Sequence, residues 1–224
     1  MKLALYSDEK KIINKDADIA SLNLTNKKYS DIKFGYVPSS SDKDRKHFNS
    51  TKNYWSRYGV KDFVFCAVDE EYDPLNIKKL NTCDIVYLSG GNTFRFLSNI
   101  RKRNFDMFLR DYLSKGGVII GISAGAMILT PTIRFTYEYH KYKGDLNMLN
   151  TDNLQDLSGI GIVKFEFIPH INREGKMNFI KGGGYNYSDY LKYFVDDGGA
   201  IIIDDKEVRF WGNVVLWGDN KKSY

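Results

Sequence analysis

The chain has 224 residues, of which 42% are apolar and 27% charged, and its formal net charge is +5. A chain of this length and composition folds as a globular domain with a substantial core, and we assign residues 1–224 to a single domain. The longest apolar runs, such as Val118–Ile122, are too short to span a bilayer. The basic residues are spread along the chain, which disfavours binding to nucleic acid.

The start of the chain and its two cysteines predict a cytoplasmic location. The polar segment Ser7–Glu9 interrupts the first apolar run before the core of a signal peptide can form. Cys66 and Cys83 are too few for a disulfide framework, and neither has a Cys or His nearby at metal-ligand spacing. We therefore expect both to be small core residues in a reducing compartment, and we expect no metal or other cofactor.

In the first half of the chain, β-type runs alternate with helix-type runs. Helical spacing and capping residues predict helices over Asp42–Arg57 and Asn104–Ser114. Five apolar runs predict buried parallel strands: Lys2–Tyr6, Ile32–Val37, Phe63–Val68, Ile85–Leu88 and Val118–Ile122. The alternation predicts an α/β fold, with a mostly parallel twisted sheet and helices on both of its faces.

The second half is less regular. Tyr137–Ser158 is polar and predicts a long connection. We predict a strand over Ile160–Ile168, a helix over Asn186–Phe194, and three short strands over Ala200–Ile203, Val208–Trp211 and Val214–Trp217. The last two strands are expected to form a hairpin around Gly212 and Asn213.

The segment from Gly121 to Gly125 carries the strongest chemical signal. An apolar strand ends, Ser123 follows between the two glycines, and a helix-prone run comes next. This is the strand–turn–helix setting of the G-x-S-x-G nucleophile elbow, in which small neighbours permit the tight turn. The N–H of Ala124 is then a candidate oxyanion donor, aided by the positive end of the following helix. The alternative is a tight structural turn between strand and helix.

A second glycine turn, Ser89–Phe94, also follows an apolar strand. Glycines allow backbone N–H groups to approach a ligand closely, so Gly91 is our candidate for a second oxyanion donor. A plain glycine turn is the alternative, and the spacing of a phosphate-binding loop is missing from this segment.

A serine nucleophile needs a base, and the chain has three histidines. His47 and His140 lie in polar stretches. His170 follows an apolar strand and Pro169, at the kind of strand end where catalytic residues collect. We therefore predict His170 as the base, against the alternative of a capping or half-buried histidine.

Together these segments resemble the peptidase E family of serine peptidases, family S51. The resemblance rests on four segments whose order and spacing match over nearly the whole chain: Ser89–Phe94, Gly121–Ala126, Pro131–Arg134 and Pro169–His170. It implies a fold similar to that of class I glutamine amidotransferases, with Ser123 as nucleophile and His170 as base. It also implies an oxyanion hole at Gly91 and Ala124, an acyl-enzyme mechanism, and small peptides as substrates.

The resemblance further implies an acid that orients the base. Two positions match, and both stay open: Glu138, fifteen residues after Ser123, and Asp205, after the late apolar strand. For each, a solvated surface acid is the alternative.

The family includes dipeptidases that cleave after an N-terminal aspartate, which requires a group that binds a carboxylate. A guanidinium is the usual device, so Arg134 and Arg173 are candidates, against the alternative of solvated surface arginines. Asn92 and Thr93, in the second glycine turn, complete the candidate substrate-binding residues.

Other classes of protein remain as alternatives. An esterase or amidase could share the elbow, although an α/β-hydrolase needs an HGGG-type loop that this sequence lacks. A non-catalytic member of the fold would not need Ser123 and His170 together, and a glutamine amidotransferase would need cysteine at position 123. A homo-oligomer also stays open, since Trp211 and Trp217 lie among polar residues, although a pair of core strands is the favoured interpretation there.

Overall fold

The structure is a computed structural model that describes residues 1–9, 12–145, 148, 152–173, 175–205 and 207–217. Its strands are β1 (Lys2–Tyr6), β2 (Lys33–Val37), β3 (Asp62–Phe65), β4 (Ile85–Leu88), β5 (Val118–Ile122), β6 (Glu166–Pro169), β7 (Lys192–Val195), β8 (Ala200–Asp204), β9 (Glu207–Trp211) and β10 (Val214–Trp217). Its α-helices are α1 (Lys15–Asn23), α2 (Lys46–Ser56), α3 (Pro74–Leu80), α4 (Thr93–Lys102), α5 (Phe105–Ser114), α6 (Ala124–Met127), α7 (Arg134–Lys143) and α8 (Lys176–Lys181). Within the described ranges, no helix combines the length and the apolar character needed to cross a membrane.

The strands form two sheets. The central sheet has seven strands in the order β3-β2-β4-β5-β1-β8-β9, and its first five strands are mutually parallel. Strands β8 and β9 extend it in antiparallel fashion. A second sheet of three strands, in the order β10-β7-β6, lies beside it and pairs β6 in parallel with β7. The prediction of a mostly parallel sheet is confirmed.

Both faces of the central sheet are covered by helices. Within β1, Leu3 and Leu5 belong to one core cluster, whereas Ala4 and Tyr6 belong to another on the opposite face. Helices α4 and α5 contribute to the first cluster, and helices α1 and α2 contribute to the second. Because these strands are buried on both faces, their sequences are continuous apolar runs. Such runs are the pattern from which the strands were predicted.

Both cysteines are core residues, as predicted. Cys66 is fully buried and Cys83 is nearly so, and neither forms a disulfide. Burial raises the pKa of each thiol to about 12, so both are protonated and unreactive at neutral pH.

Two predictions for the second half were wrong in element type. The polar stretch Tyr137–Ser158 is not only a connection, because helix α7 occupies its beginning; residues 146, 147 and 149–151 lie outside the described part. The predicted helix Asn186–Phe194 overlaps strand β7 instead, because its Tyr-Phe-Val run pairs with a strand on either side.

The predicted hairpin around Gly212 and Asn213 was also wrong. Strand β9 pairs with β8 in the central sheet, whereas β10 pairs with β7 in the small sheet. The turn therefore carries the chain from one sheet to the other. Gly212 makes this passage possible, since a Cβ there would lie 2.9 Å from the Cα of Gly199.

Candidate active site

Ser123 occupies the turn between β5 and α6. Its backbone has φ 49° and ψ −105°, a strained conformation for a residue with a side chain. The turn is held by hydrogen bonds from the N–H of Ser123 to the Tyr6 carbonyl (2.8 Å) and from the Met127 N–H to the Ser123 carbonyl (2.9 Å). A Cβ on Gly125 would lie 2.2 Å from the Leu88 carbonyl oxygen, so this glycine lets α6 pack directly on β4.

His170 lies directly after β6, with its ring facing Ser123. The Oγ of Ser123 is 2.8 Å from His170 Nε2. The backbone of His170 has a positive φ of 63°, and its N–H donates to the Oγ of Ser7 at 2.8 Å. Because Ser7 directly follows β1, the ends of β1, β5 and β6 meet at this point. The His170 side chain is only 13% exposed, so the pair is largely screened from water.

Asp197 contacts the other ring nitrogen of His170. It lies just after β7, and its Oδ1 accepts a hydrogen bond from His170 Nδ1. Its Oδ2 accepts from Arg173 Nε at 2.9 Å, and its backbone N–H donates to Asn172 Oδ1 at 3.0 Å. This arrangement keeps the proton on Nδ1 and leaves Nε2 free to accept the proton of Ser123.

The charges of the site suit that role at neutral pH. Burial lowers the pKa of His170 to about 4, an effect that the hydrogen bond to Asp197 opposes and the positive charges of Lys176 and Arg173 reinforce. Burial alone would raise the pKa of Asp197, but the hydrogen bonds from Arg173 and His170 lower it to about 2. His170 is therefore neutral and Asp197 ionised.

The acids predicted from the sequence lie elsewhere. Glu138 forms an ion pair with Arg134 (3.2 Å) across one turn of α7. Asp205 lies at the turn between β8 and β9 and pairs with the N-terminal amine of Met1. Both predictions for the acid are therefore corrected: the acid in contact with His170 is Asp197, which sequence reasoning missed.

Two cavities of opposite charge open on either side of Ser123 and His170. The first has a volume of about 360 Å³, and its walls include the acids Asp8, Glu9 and Asp42. The second has a volume of about 320 Å³, and its walls include the cations Lys143, Arg173 and Lys176. We call these the acidic cavity and the basic cavity.

Of the two predicted oxyanion donors, Gly91 lies at the junction of these cavities, whereas Ala124 is buried directly after Ser123 and lines neither. Gly91 lines both of them. Its loop is fixed by Ser39, whose Oγ donates to the Gly90 carbonyl at 2.7 Å. Ala124 is the first residue of α6, so its N–H has no acceptor within the helix.

The predicted substrate-binding residues divide between two places. Asn92, Thr93 and Arg173 line the basic cavity, and the side chain of Asn92 also caps α4 by accepting from the Arg95 N–H at 2.9 Å. Arg134 does not line either cavity and lies with Glu138 in a separate surface depression. Arg134, a predicted carboxylate-binding residue, is therefore not in the basic cavity. Lys176, which the sequence analysis did not predict, lines that cavity together with Arg173.

The chain is similar to proteins of known sequence and structure. The family model described as Peptidase family S51 matches residues 4–211. The chain is 33% identical over 131 residues to an uncharacterized peptidase of Listeria monocytogenes (58% of this chain, 61% of that one) and 38% identical over 97 residues to a peptidase E of Escherichia coli (40% and 42%). The chain thus spans less than two thirds of these relatives.

Two crystal structures share the fold. A candidate peptidase E of Listeria monocytogenes superposes with a TM-score of 0.72 at 23% identity, covering 93% of this chain and 96% of that one. A peptidase from an acI-B1 Actinobacterium superposes with a TM-score of 0.65 at 18% identity, covering 97% and 87%. At these identities the likeness establishes a common fold and leaves the substrate open.

Proposed function

The chain belongs to peptidase family S51, and from this premise we propose that it is a serine-type peptidase that hydrolyses small peptides through an acyl-enzyme on Ser123. One observation carries the proposal: Ser123 Oγ lies 2.8 Å from His170 Nε2, while His170 Nδ1 is bonded to Asp197. This is the arrangement of nucleophile, base and orienting acid that serine hydrolases share on unrelated folds. In this proposal the turn at Ser123 is a nucleophile elbow on a fold like that of class I glutamine amidotransferases.

The mechanism follows from the positions of these groups. Ser123 attacks the scissile carbonyl as His170 Nε2 accepts its proton, and Asp197 stabilises the imidazolium that forms. The N–H groups of Gly91 and Ala124 hydrogen-bond to the developing oxyanion. His170 then protonates the leaving amine, and water hydrolyses the acyl-enzyme by the same steps in reverse.

We also propose that the substrate carries a carboxylate, with N-terminal Asp-X dipeptides as the first candidates. The support is the charge of the basic cavity, in which Lys176 is half-buried and Arg173 is half-exposed. In the described part of the chain no carboxylate lies within ion-pair distance of Lys176 Nζ. A partly desolvated cation without a counter-ion is unfavourable, and a substrate carboxylate would compensate it.

The proposal is tested with a panel of dipeptides and a covalent probe. Wild-type protein is incubated with Asp-Leu, Glu-Leu and Ala-Leu, and in parallel with a fluorophosphonate followed by peptide mass spectrometry. We expect cleavage of Asp-Leu in preference to Ala-Leu, and one phosphonate per chain on Ser123. Folded protein that cleaves no dipeptide and takes no label contradicts the peptidase proposal, and labelling of another serine contradicts the assigned nucleophile.

The substitution Gly91→Ala tests the oxyanion hole. Gly91 has a φ of +145°, which strains any residue with a Cβ, and a Cβ there would lie 2.0 Å from Ser39 Oγ, the group that holds the loop by its hydrogen bond to Gly90, so alanine is expected to disturb the position of the loop N–H. Loss of one oxyanion donor lowers kcat by about 10²–10³-fold, which we expect in dipeptide hydrolysis. Gly116→Ala is the matched control, because it also has a positive φ (+86°) but open space around its Cα. Equal kcat values for the two variants would remove Gly91 from the mechanism.

A further inference from the structure

Lys176 is a half-buried cation, and the groups that hold it do not neutralise it. Its Nζ donates to the carbonyl oxygen of Pro169 at 2.7 Å, and Pro169 directly precedes His170. The same Nζ lies 5.3 Å from the ring centroid of Tyr139 and 5.8 Å from that of Phe135. A carbonyl and two aromatic faces stabilise an ammonium group, but they leave its net charge in place.

This charge acts on His170 from close by. The groups that face His170 come from several elements: Ser7 after β1, Ser123 after β5, Asp197 after β7, Arg173 after β6, and Lys176 at the start of α8. Arg173 is paired with Asp197, so its charge is largely compensated. Among the described residues no carboxylate forms an ion pair with Lys176, and a positive charge in a poorly solvated cavity disfavours a second one on the imidazole.

Lys176 carries its charge at neutral pH. Burial and the nearby cations Arg173 and Lys143 lower the pKa of its amine to about 8, and Asp197 opposes this effect. Helix α7 also presents His140 to the same cavity, where burial lowers its pKa. Below pH 8 the basic cavity therefore holds an ammonium group beside the base that forms no ion pair with any carboxylate of the described residues.

A bound carboxylate changes this balance. The acidic cavity on the other side of Ser123 repels such a group, and the basic cavity attracts it. A carboxylate next to Lys176 cancels its charge, and His170 then accepts a proton more readily.

We propose that Lys176 makes the strength of His170 as a base depend on whether a substrate carboxylate fills the basic cavity. Lys176 acts through His170 and is therefore a positioning residue, and the inference rests on the proposed peptidase function. With the cavity empty or filled by a neutral group, His170 is a weak base. With an acidic substrate it is a stronger one, so selectivity for that substrate is expressed in kcat as well as in KM.

Proton titration of His170 by NMR tests this directly. The chain has only three histidines, so a histidine-labelled sample gives three sets of signals, and His47→Gln and His140→Gln variants assign them. In a Ser123→Ala background that keeps the substrate intact, we expect saturating Asp-Leu to raise the pKa of His170 by about one unit or more. Asn-Leu, which has the same shape and the same terminal charges but no side-chain carboxylate, leaves this pKa unchanged.

Variants of α8 identify the cation responsible. Lys176→Met abolishes the shift and Lys176→Arg restores it. Lys181→Met, the same change at an exposed position of the same helix, retains it. In the active enzyme, the pH profile of kcat for Asp-Leu falls on the acid side at a pH about one unit or more higher than the profile of kcat/KM does. The first reports the substrate-bound enzyme and the second the free enzyme, and in Lys176→Met the two midpoints coincide.

The outcomes separate this inference from the proposed function. If the wild type cleaves Asp-Leu but binding leaves the pKa of His170 unchanged, the inference is overturned and the proposed peptidase function is retained. A shift that persists in Lys176→Met, or failure of Asp-Leu to bind at all, also overturns it. A Lys176-dependent shift in a protein that hydrolyses no dipeptide supports the coupling and contradicts the peptidase function.

Discussion

Replacing Ser123 with alanine is expected to lower the turnover of Asp-Leu by about 10⁶-fold, the loss found when a serine peptidase retains its site without the nucleophile. The variant keeps the base, the acid and both oxyanion donors, so the residual rate reports what binding and the oxyanion hole contribute alone. The measurement is kcat at saturating dipeptide, with fluorophosphonate labelling of the same preparation. The label should be lost together with the activity.

The loss should not come from unfolding. Among the described residues the Ser123 side chain forms one hydrogen bond, to His170, so its removal should change the free energy of unfolding by about 0.5–1.5 kcal/mol. Ser40→Ala is the matched control, because Ser40 lies in the wall of the acidic cavity next to the site. A Ser123→Ala protein that retains more than a hundredth of the wild-type kcat would assign the nucleophile elsewhere. So would a Ser40→Ala protein whose kcat falls by about 10⁶-fold, the loss expected for Ser123→Ala.

The central strands could be predicted because burial on both faces leaves a strong trace in the sequence. Strands β1, β4 and β5 begin and end at the predicted residues, since each is a short apolar run buried on both sides. Helix α5 ends at the predicted residue and begins one residue after the predicted start, because apolar side chains recur at helical spacing and Asn104 precedes the first turn. These features depend on local patterning, which a single sequence contains.

The failures concern features that depend on tertiary pairing. Strand β7 is short, and its partners β6 and β10 lie 26 and 22 residues away in the chain, measured from the first residue of each strand (192 − 166 and 214 − 192). The turn at Gly212 has the composition of a hairpin, yet the strands that it joins lie in different sheets. Nothing in a local window distinguishes these arrangements from the predicted ones.

The error in β7 also explains why the acid was missed. With Asn186–Phe194 interpreted as a helix, no strand was predicted to end near Asp197. As the structure has it, Asp197 follows a buried strand by two residues, much as His170 follows β6. The available signal was an acidic residue near the end of β7, the strand next to the one that precedes His170. That signal could be used only if β7 was predicted to be a strand.

The substitution Asp197→Asn is expected to lower kcat by about 10⁴-fold, although it preserves the shape of the side chain. Asp197 Oδ1 accepts from His170 Nδ1 and thereby keeps Nε2 unprotonated toward Ser123. An asparagine can present its amide N–H₂ to the ring instead, which favours the tautomer with the proton on Nε2 and leaves no acceptor for the serine proton. It also removes the negative charge that stabilises the imidazolium. The measurement is kcat for Asp-Leu.

Two further isosteric changes serve as controls, because they remove the acids that the sequence favoured. Glu138→Gln breaks an ion pair with Arg134, and Asp205→Asn breaks one with the N-terminal amine, both at the surface. Exposed pairs of this kind contribute about 0–1 kcal/mol, so both variants should fold and keep kcat within a few-fold of the wild type. If Asp197→Asn stays within ten-fold of the wild type while either control falls by orders of magnitude, the base is oriented by another acid. The wild-type geometry argues for Asp197, since it is the carboxylate bonded to both His170 and Arg173.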